Sequence, residues 1–324
     1  MTRRQCAACG AYSFHLALDA SSVGHEVCER ERFVTARARR RLASAERKDL
    51  LDFVHGFPCA ILVCAHCGLL RRDESDFKHA RTYEQDRHDF DLLKHLLPRY
   101  VTSFREKLQA YQSLLPPNAE VLEVCCHVGA FLQAAEERSW RPCGLDICKD
   151  ITNFVKAQGC SVHRAILEEA PLRGRRFDAV FIWNCFEQLP DPLTTLLHVR
   201  RALKRHGLLV IRVPNALFYI SFRRSGDATI RRALGYNNLL GFPYLTGHTV
   251  GTLNLLLARA GFLPVQGFNS ELITMPFPDL DQRVIEEQEA VSKLVVHRHV
   301  HAAISPGALA GPWIEMIYRI GSAA

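Results

Sequence analysis

Hydrophobic positions along the chain change period in a regular way. Short, nearly continuous apolar runs at residues 121–124 (VLEV), 143–147 (CGLDI), 177–184 (FDAVFIWN) and 208–215 (LLVIRVPN) read as buried strands. Between the first two, CCHVGAFLQAAEER puts Gly129, Phe131, Leu132 and Ala135 on the buried face of a helix, so this stretch predicts strand, tight turn, helix. Residues 185–207 follow the third run as a Pro-started amphipathic helix closed by a stop signal at Gly207. Upstream, residues 83–115 have helical periodicity through Phe90, Leu93, Leu97, Val101, Phe104 and Leu108, ending at Pro116-Pro117. Downstream, Thr246 caps a helix ending at Gly261, and FLPVQGFNS and PWIEMIYRI are strands. Strands alternating with helices predict an α/β sheet closed by an antiparallel pair.

The first turn and the second strand carry candidate chemistry. Asp146 falls about 20 residues beyond the turn, where a carboxylate at the end of the second strand of a Rossmann-type unit meets two ribose hydroxyls. An adenosine-containing ligand is expected. A nicotinamide dinucleotide needs G-x-G-x-x-G to seat its pyrophosphate at the helix N-terminus, and this turn has neither the spacing nor the glycines.

Taken in order, E-V-x-x-x-x-G, G-L-D, F-D-A-V-F-I-W-N, E-Q-L-P-D-P and R-A-L-K-R-H-G-L-L-V-I-R-V-P-N resemble the class I S-adenosylmethionine (SAM) dependent methyltransferases, in particular the ubiquinone-biosynthesis-like branch. The resemblance covers residues 100–262. It implies a Rossmann-like seven-stranded methyltransferase sheet with an antiparallel closing pair, and SAM as cofactor. In such enzymes the first turn reads E-x-G-x-G-x-G, whereas here Cys125 and His127 stand at two of the glycine positions and only Gly129 remains. Glycine serves there because the backbone approaches the cofactor and needs positive φ. The resemblance assigns Asp146 to the ribose, and Glu123, Cys125, His127 and Gly129 to the methionine end. Ile147, Ile166 and Leu167 fall beside adenine, with Ile166 where the family often has an acid. Asn184, at the end of the fourth strand, would face both cofactor and methyl acceptor. Tyr244 and His248 are further catalytic candidates, and Glu187-Gln188 replaces a common Glu-His pair, removing one candidate base.

Twelve cysteines are many for a reduced compartment, where clustered thiols hold metal more often than they form disulfides. Cys6-Ala-Ala-Cys9-Gly10 and Cys64-Ala-His66-Cys67-Gly68 are two knuckles whose spacing lets one tight turn aim both sulfurs at one ion. Four thiolates fill the tetrahedral shell of zinc and leave no open position, so a structural zinc is expected on Cys6, Cys9, Cys64 and Cys67. The long gap between knuckles calls for an ordered insertion, with a helix over residues 32–54. His297, His299 and His301 do not share a helix face and are not expected to bind metal.

The 324 residues, 48% hydrophobic, then divide into a zinc module with a helical insertion (1–80), a helical lid or linker (81–117) and a methyltransferase domain (118–324) with insertions at 216–245 and 276–311. The opening MTRRQCAACG has no apolar signal segment and no apolar run approaches the ~20 residues of a membrane span, so a cytoplasmic location without membrane contact is expected. The charged segment 279–304 offers a surface for a homodimer.

A sulfonium is an activated leaving group, so transfer needs alignment and exclusion of water, with a base only if the acceptor must lose a proton. No Asn-Pro-Pro-Tyr or Asp-Pro-Pro-Tyr turn follows the fourth strand, which argues against methylation of exocyclic amines on bases. The expected activity is therefore methyl transfer to oxygen or carbon of a small or carrier-linked metabolite. Sugar C-methyltransferases also combine an N-terminal zinc module with such a domain, but they are longer, and their sugar specificity does not transfer. Two alternatives stand beside this one. The net charge of +7, the run Arg37, Arg39, Arg40 and Arg41 and the zinc module suit an RNA base methyltransferase of the ribosomal RNA type. The altered turn suits a non-catalytic Rossmann scaffold.

Overall fold

The computed structural model describes residues 5–25, 28, 59–73, 90–172, 174–217, 244–270, 309 and 313–321. The expected helix at 32–54, the basic run at 37–41, the connection at 218–243, the start of the lid segment at 83–89 and the segment 279–304 with its three histidines lie outside the described residues. In chain order the strands are β1 (Phe14–Leu18), β2 (Ile61–Cys64), β3 (Leu70–Arg72), β4 (Glu120–Val124), β5 (Arg141–Asp146), β6 (Val162–Arg164), β7 (Phe177–Trp183), β8 (Leu203–Pro214), β9 (Thr246–Gly247), β10 (Phe262–Ser270) and β11 (Trp313–Ile320). The helices that position the site are α1 (Phe90–Lys107), α2 (Ala130–Glu136), α3 (Lys149–Ala157), α4 (Pro192–Ala202) and α5 (Val250–Arg259). No helix among the described residues is long and apolar enough to cross a membrane.

The chain divides into two compact units. One comprises Met1–Lys78, Val213–Leu256 and Gly267–Glu315; the other comprises His79–Arg212, Leu257–Gln266 and Met316–Ala324. The first contains a four-stranded sheet in the order β1-β2-β3-β9. β1, β2 and β3 form an antiparallel meander, and β9 pairs antiparallel with β3 through Leu70↔Gly247 and Arg71↔Thr246.

The seven-stranded sheet runs β10-β11-β8-β7-β4-β5-β6, with the antiparallel pair at one edge. Its five inner and distal strands, β8 to β6 in that order, pair in parallel. This is the Rossmann-like methyltransferase fold that the run of strands predicts. β7 lies between β4 and β8 and is covered on both faces, so FDAVFIW reads as one apolar run; only Asp178 is not fully buried. Asp178 Oδ2 accepts from the Glu120 backbone N at 2.9 Å and from Lys204 Nζ at 2.8 Å at the strand's start. Above the sheet, Phe104 of α1 meets Phe131 of α2 edge-on and leans on Trp183 of β7, with centroids 5.8 and 5.7 Å apart. Phe131 also packs on Phe181, 4.7 Å between centroids. These aromatic contacts seat both helices over the strands that end in the candidate site.

Local boundaries differ from the sequence pattern at three places. α4 stops at Ala202, and residues 203–207, expected to finish the helix, open β8 instead. Gly207 is required there for close approach: a Cβ would lie 3.0 Å from the Phe177 carbonyl oxygen and 2.9 Å from Leu203 Cδ2. α5 is capped by Thr249 rather than Thr246. Thr249 Oγ1 accepts from Thr252 N at 3.2 Å while Thr252 Oγ1 accepts from Thr249 N at 2.9 Å, a reciprocal capping box. In α1 the buried stripe includes Leu96 and Tyr100, whereas Leu97 is only half-buried.

Candidate functional site

The carboxyl edge of the parallel strands carries the first constellation. After β4 the chain turns through Cys125, His127 and Gly129 with φ of 60°, 43° and 78°. All three glycine-type positions thus keep the left-handed conformation, although two bear side chains at a cost of roughly 1 kcal/mol each. Hydrogen bonds hold the turn: Cys126 N donates to Leu145 O at 2.9 Å and Gly129 N to Cys126 O at 2.9 Å. Gly144 of β5 must lack a side chain for this packing, since a Cβ would meet Cys126 Sγ at 2.7 Å.

Asp146 is tied to the same turn. Its Oδ2 accepts from His127 N and its Oδ1 from Cys148 N, both at 3.0 Å. These two bonds, one to each carboxylate oxygen, fix its orientation at the carboxyl end of β5. Beside it, Glu123 is buried, and its Oε2 has no hydrogen-bond partner among the described residues. Burial, followed by the electrostatic effects of Cys125 and Asp146, pushes the Glu123 carboxyl well above its usual range. A cationic ligand at this point would favour the ionised carboxyl.

Ile147 is half-buried, Ile166 is 45% exposed and Leu167 is buried. Ala165 N donates to Asp146 O at 3.1 Å and Arg164 Nε to Ile147 O at 3.1 Å, which ties the segment after β6 to the end of β5.

Asn184 follows β7 with φ of 54°, and its backbone N donates to Arg212 O at 3.1 Å. Val124 and Ile182 are register partners, and Cys185 Sγ lies 3.5 Å from Val124 O, which sets Asn184 at the same edge as the turn. Arg212, fully buried within the apolar run of β8, donates through Nη1 to Asn184 Oδ1. Glu187 is also fully buried; burial raises its carboxyl to about 8 against the opposing effects of a backbone hydrogen bond and the charge of Arg212. Arg212 is not among the residues that motif and spacing single out. Its signal was present as the one charged residue inside LLVIRVPN.

The other unit holds the second constellation. The Sγ atoms of Cys6, Cys9, Cys64 and Cys67 all lie within 4.8 Å of one another, with Cys6–Cys67 at 3.6 Å and Cys9–Cys64 at 3.5 Å. Each knuckle closes the same way, Gly10 N on Cys6 O and Gly68 N on Cys64 O, with the glycines at φ of 80° and 79°. Burial raises the Cys64 thiol, but backbone bonds from Cys67 and His66 and the Cys9 and Cys67 thiols outweigh it and bring it to about 7. Among the described residues these four are the one group arranged to hold a metal.

Tyr244 and His248 belong to this unit as well, as does Asn215. Both candidates are buried, and His248 forms a parallel bridge with Asn215 and lies 3.1 Å from Thr246 Oγ1 through Nε2. Burial lowers its imidazolium to about 4. It is a neutral histidine integrated in the backbone pairing next to β9.

A family profile described as a methyltransferase domain matches residues 92–266. No curated protein matches the chain. Solved structures similar to it include an S-adenosylmethionine dependent methyltransferase from Mesorhizobium loti, 19% identical with a TM-score of 0.45, covering 65% of this chain and 96% of that one. A SAM dependent methyltransferase from Archaeoglobus fulgidus is 20% identical with a TM-score of 0.45, over 72% of this chain and 100% of that one.

Proposed function

The chain belongs to the methyltransferase domain family, and from that premise we propose that it is a SAM-dependent methyltransferase acting on oxygen or carbon of a small or carrier-linked metabolite. The observation that carries this reading is the clamp between the turn and β5: three left-handed residues, 125, 127 and 129, with Asp146 bonded to the middle one. The backbone path that glycines would normally provide is present despite Cys125 and His127. The unsatisfied Oε2 of buried Glu123 supports the fit, because the cationic groups of SAM would give this carboxyl a charge partner that favours its ionised form over the neutral one that burial favours.

Asp146 would hold the ribose hydroxyls, Ile147, Ile166 and Leu167 the adenine, and the turn from Glu123 to Gly129 the methionine end. SAM supplies a methyl group on a leaving sulfur that needs no acid from the protein. The chain's own task is to orient the acceptor and exclude water, and Asn184 would provide the orientation.

A structural zinc on Cys6, Cys9, Cys64 and Cys67 belongs to the same proposal. Tetrahedral Zn–S bonds of about 2.3 Å give sulfur–sulfur edges of about 3.8 Å, close to the 3.5 and 3.6 Å separations of the two cross-knuckle pairs. A disulfide would need about 2.05 Å.

Calorimetric titration with SAM and with S-adenosylhomocysteine, on the native chain and on Asp146→Ala, tests the cofactor. Micromolar binding, weakened at least about tenfold by losing a charge-assisted bond to the ribose, is expected. Absence of heat with both ligands would sink the methyltransferase reading.

A further inference from the structure

Asn184 stands at the carboxyl edge of β7 with one half of its amide already committed. Arg212 Nη1 donates to Oδ1, and a guanidinium has no acceptor lone pair, so the oxygen must be the atom facing Arg212. The usual ambiguity between amide oxygen and nitrogen is thereby removed. The backbone of the residue is fixed too: its N–H donates to Arg212 O at 3.1 Å and its carbonyl accepts from Gln188 Nε2 at 2.8 Å. What remains is the NH2 group, which donates to no described residue, on a half-buried side chain.

Arg212 cannot swing away to release the amide. It is fully buried in β8, between Ile211 and Val213, with the carboxyl of buried Glu187 close enough to feel its charge. An arginine in such a place costs several kcal/mol of desolvation unless it is paired and hydrogen-bonded. Asn184 Oδ1 accepts its hydrogen bond, and Glu187 interacts with it through charge, inside an apolar layer.

Resting on the methyltransferase reading, we infer that Arg212 is a positioning residue that makes Asn184 a hydrogen-bond donor only, and that the acceptor substrate therefore presents an anionic or unprotonated oxygen, as a carboxylate, phenolate or enolate does. An amine or ammonium brings N–H groups to the site and needs an acceptor there, and the Asn184 oxygen that would serve is occupied. The selection acts on the polarity of the acceptor and leaves its remaining framework open.

The test is binding to the full chain saturated with S-adenosylhomocysteine, using benzoate and benzylammonium as probes of the same ring. Benzoate is expected to bind at least about tenfold tighter than benzylammonium, the scale of one charge-assisted hydrogen bond made or refused. Arg212→Met frees the amide to rotate and should bring the two probes within about threefold, whereas Arg212→Lys, which still donates to Oδ1, should keep the preference. Asn184→Leu should weaken benzoate about tenfold, and it decides the matter if Arg212→Met does not fold. A native chain that takes benzoate no better than benzylammonium, an Arg212→Met variant with the native preference, or an Asn184→Leu variant with native benzoate affinity overturns the inference. Failure to bind S-adenosylhomocysteine at all is a separate result, which overturns the methyltransferase reading and this inference with it.

Discussion

Positive φ is normally left to glycine because a Cβ in the left-handed region crowds the following carbonyl oxygen. The cofactor turn uses it at Cys125 and His127 as well as Gly129, so the three positions respond to substitution in opposite directions. Cys125→Gly removes strain worth about 1 kcal/mol but also the thiol contact with Cys185, so urea unfolding should show a gain of at most about 1 kcal/mol. Gly129→Ala should lower it by about 1–2 kcal/mol, because a new Cβ adds the same strain and also meets Val155 Cγ1 at 3.1 Å. If Cys125→Gly proved clearly destabilising, the cysteine would have a packing role larger than its strain. His248 makes a second residue-level expectation. Its imidazolium is held at about 4 when folded and returns to about 6.5 on unfolding. The folded state prefers the neutral ring, so this stabilisation is complete above about pH 6.5, declines as the pH falls, and is gone below about pH 4, a loss of about 3 kcal/mol. Native and His248→Asn proteins compared at several pH values should differ in slope by about one proton across that window, and parallel slopes would contradict the assignment.

Strands were easier to read than the points where elements end, and the physical reason is visible at β7 and β8. A strand covered on both faces has an apolar run as its signature, and FDAVFIW and LLVIRVPN carry it in the sequence. Gly207 looks like a helix stop but acts as a gap for the Phe177 carbonyl, a contact that depends on register between two strands and leaves no local trace. Thr246 looks like a helix cap but pairs with Arg71, far away in the sequence, and leaves capping to Thr249. The candidate site divides the same way. Asp146 follows from its distance to the turn, whereas the donor-only state of Asn184 depends on Arg212, which local patterning presents only as a charge in the wrong place. Gly207→Ala provides the element-level test. Its Cβ would sit 3.0 Å from a backbone oxygen that cannot move cheaply, so a loss of about 1–3 kcal/mol is expected. A helix-stop glycine at negative φ would instead accept alanine with little change in thermal unfolding.

At the scale of the whole chain, the cysteine cluster organises residues that are distant in sequence. Cys64 ends β2, the knuckle through Gly68 turns the chain into β3, and β3 pairs with β9 through Leu70↔Gly247. Arg72 N donates to Leu245 O at 2.9 Å, and the next residues lead to His248 and its bridge with Asn215. The proposed zinc, by fixing the knuckles, would therefore fix a sheet whose last strand lies more than 170 residues later in the chain. A four-strand sheet this small has little core of its own, and structural zinc commonly supplies the folding free energy that such modules lack. Stripping the metal with a chelator should raise amide exchange at 61–72 and at 244–248 together, by at least about tenfold at the paired amides, a shift of ~1.4 kcal/mol in local opening. Residues 120–146 belong to the other unit and to a sheet that does not use the knuckles, so their exchange should stay as it was. Exchange that rises at 61–72 but not at 244–248 would mean that contacts other than β3 hold β9 in place. Exchange rising equally in all three segments would mean that the two units unfold as one.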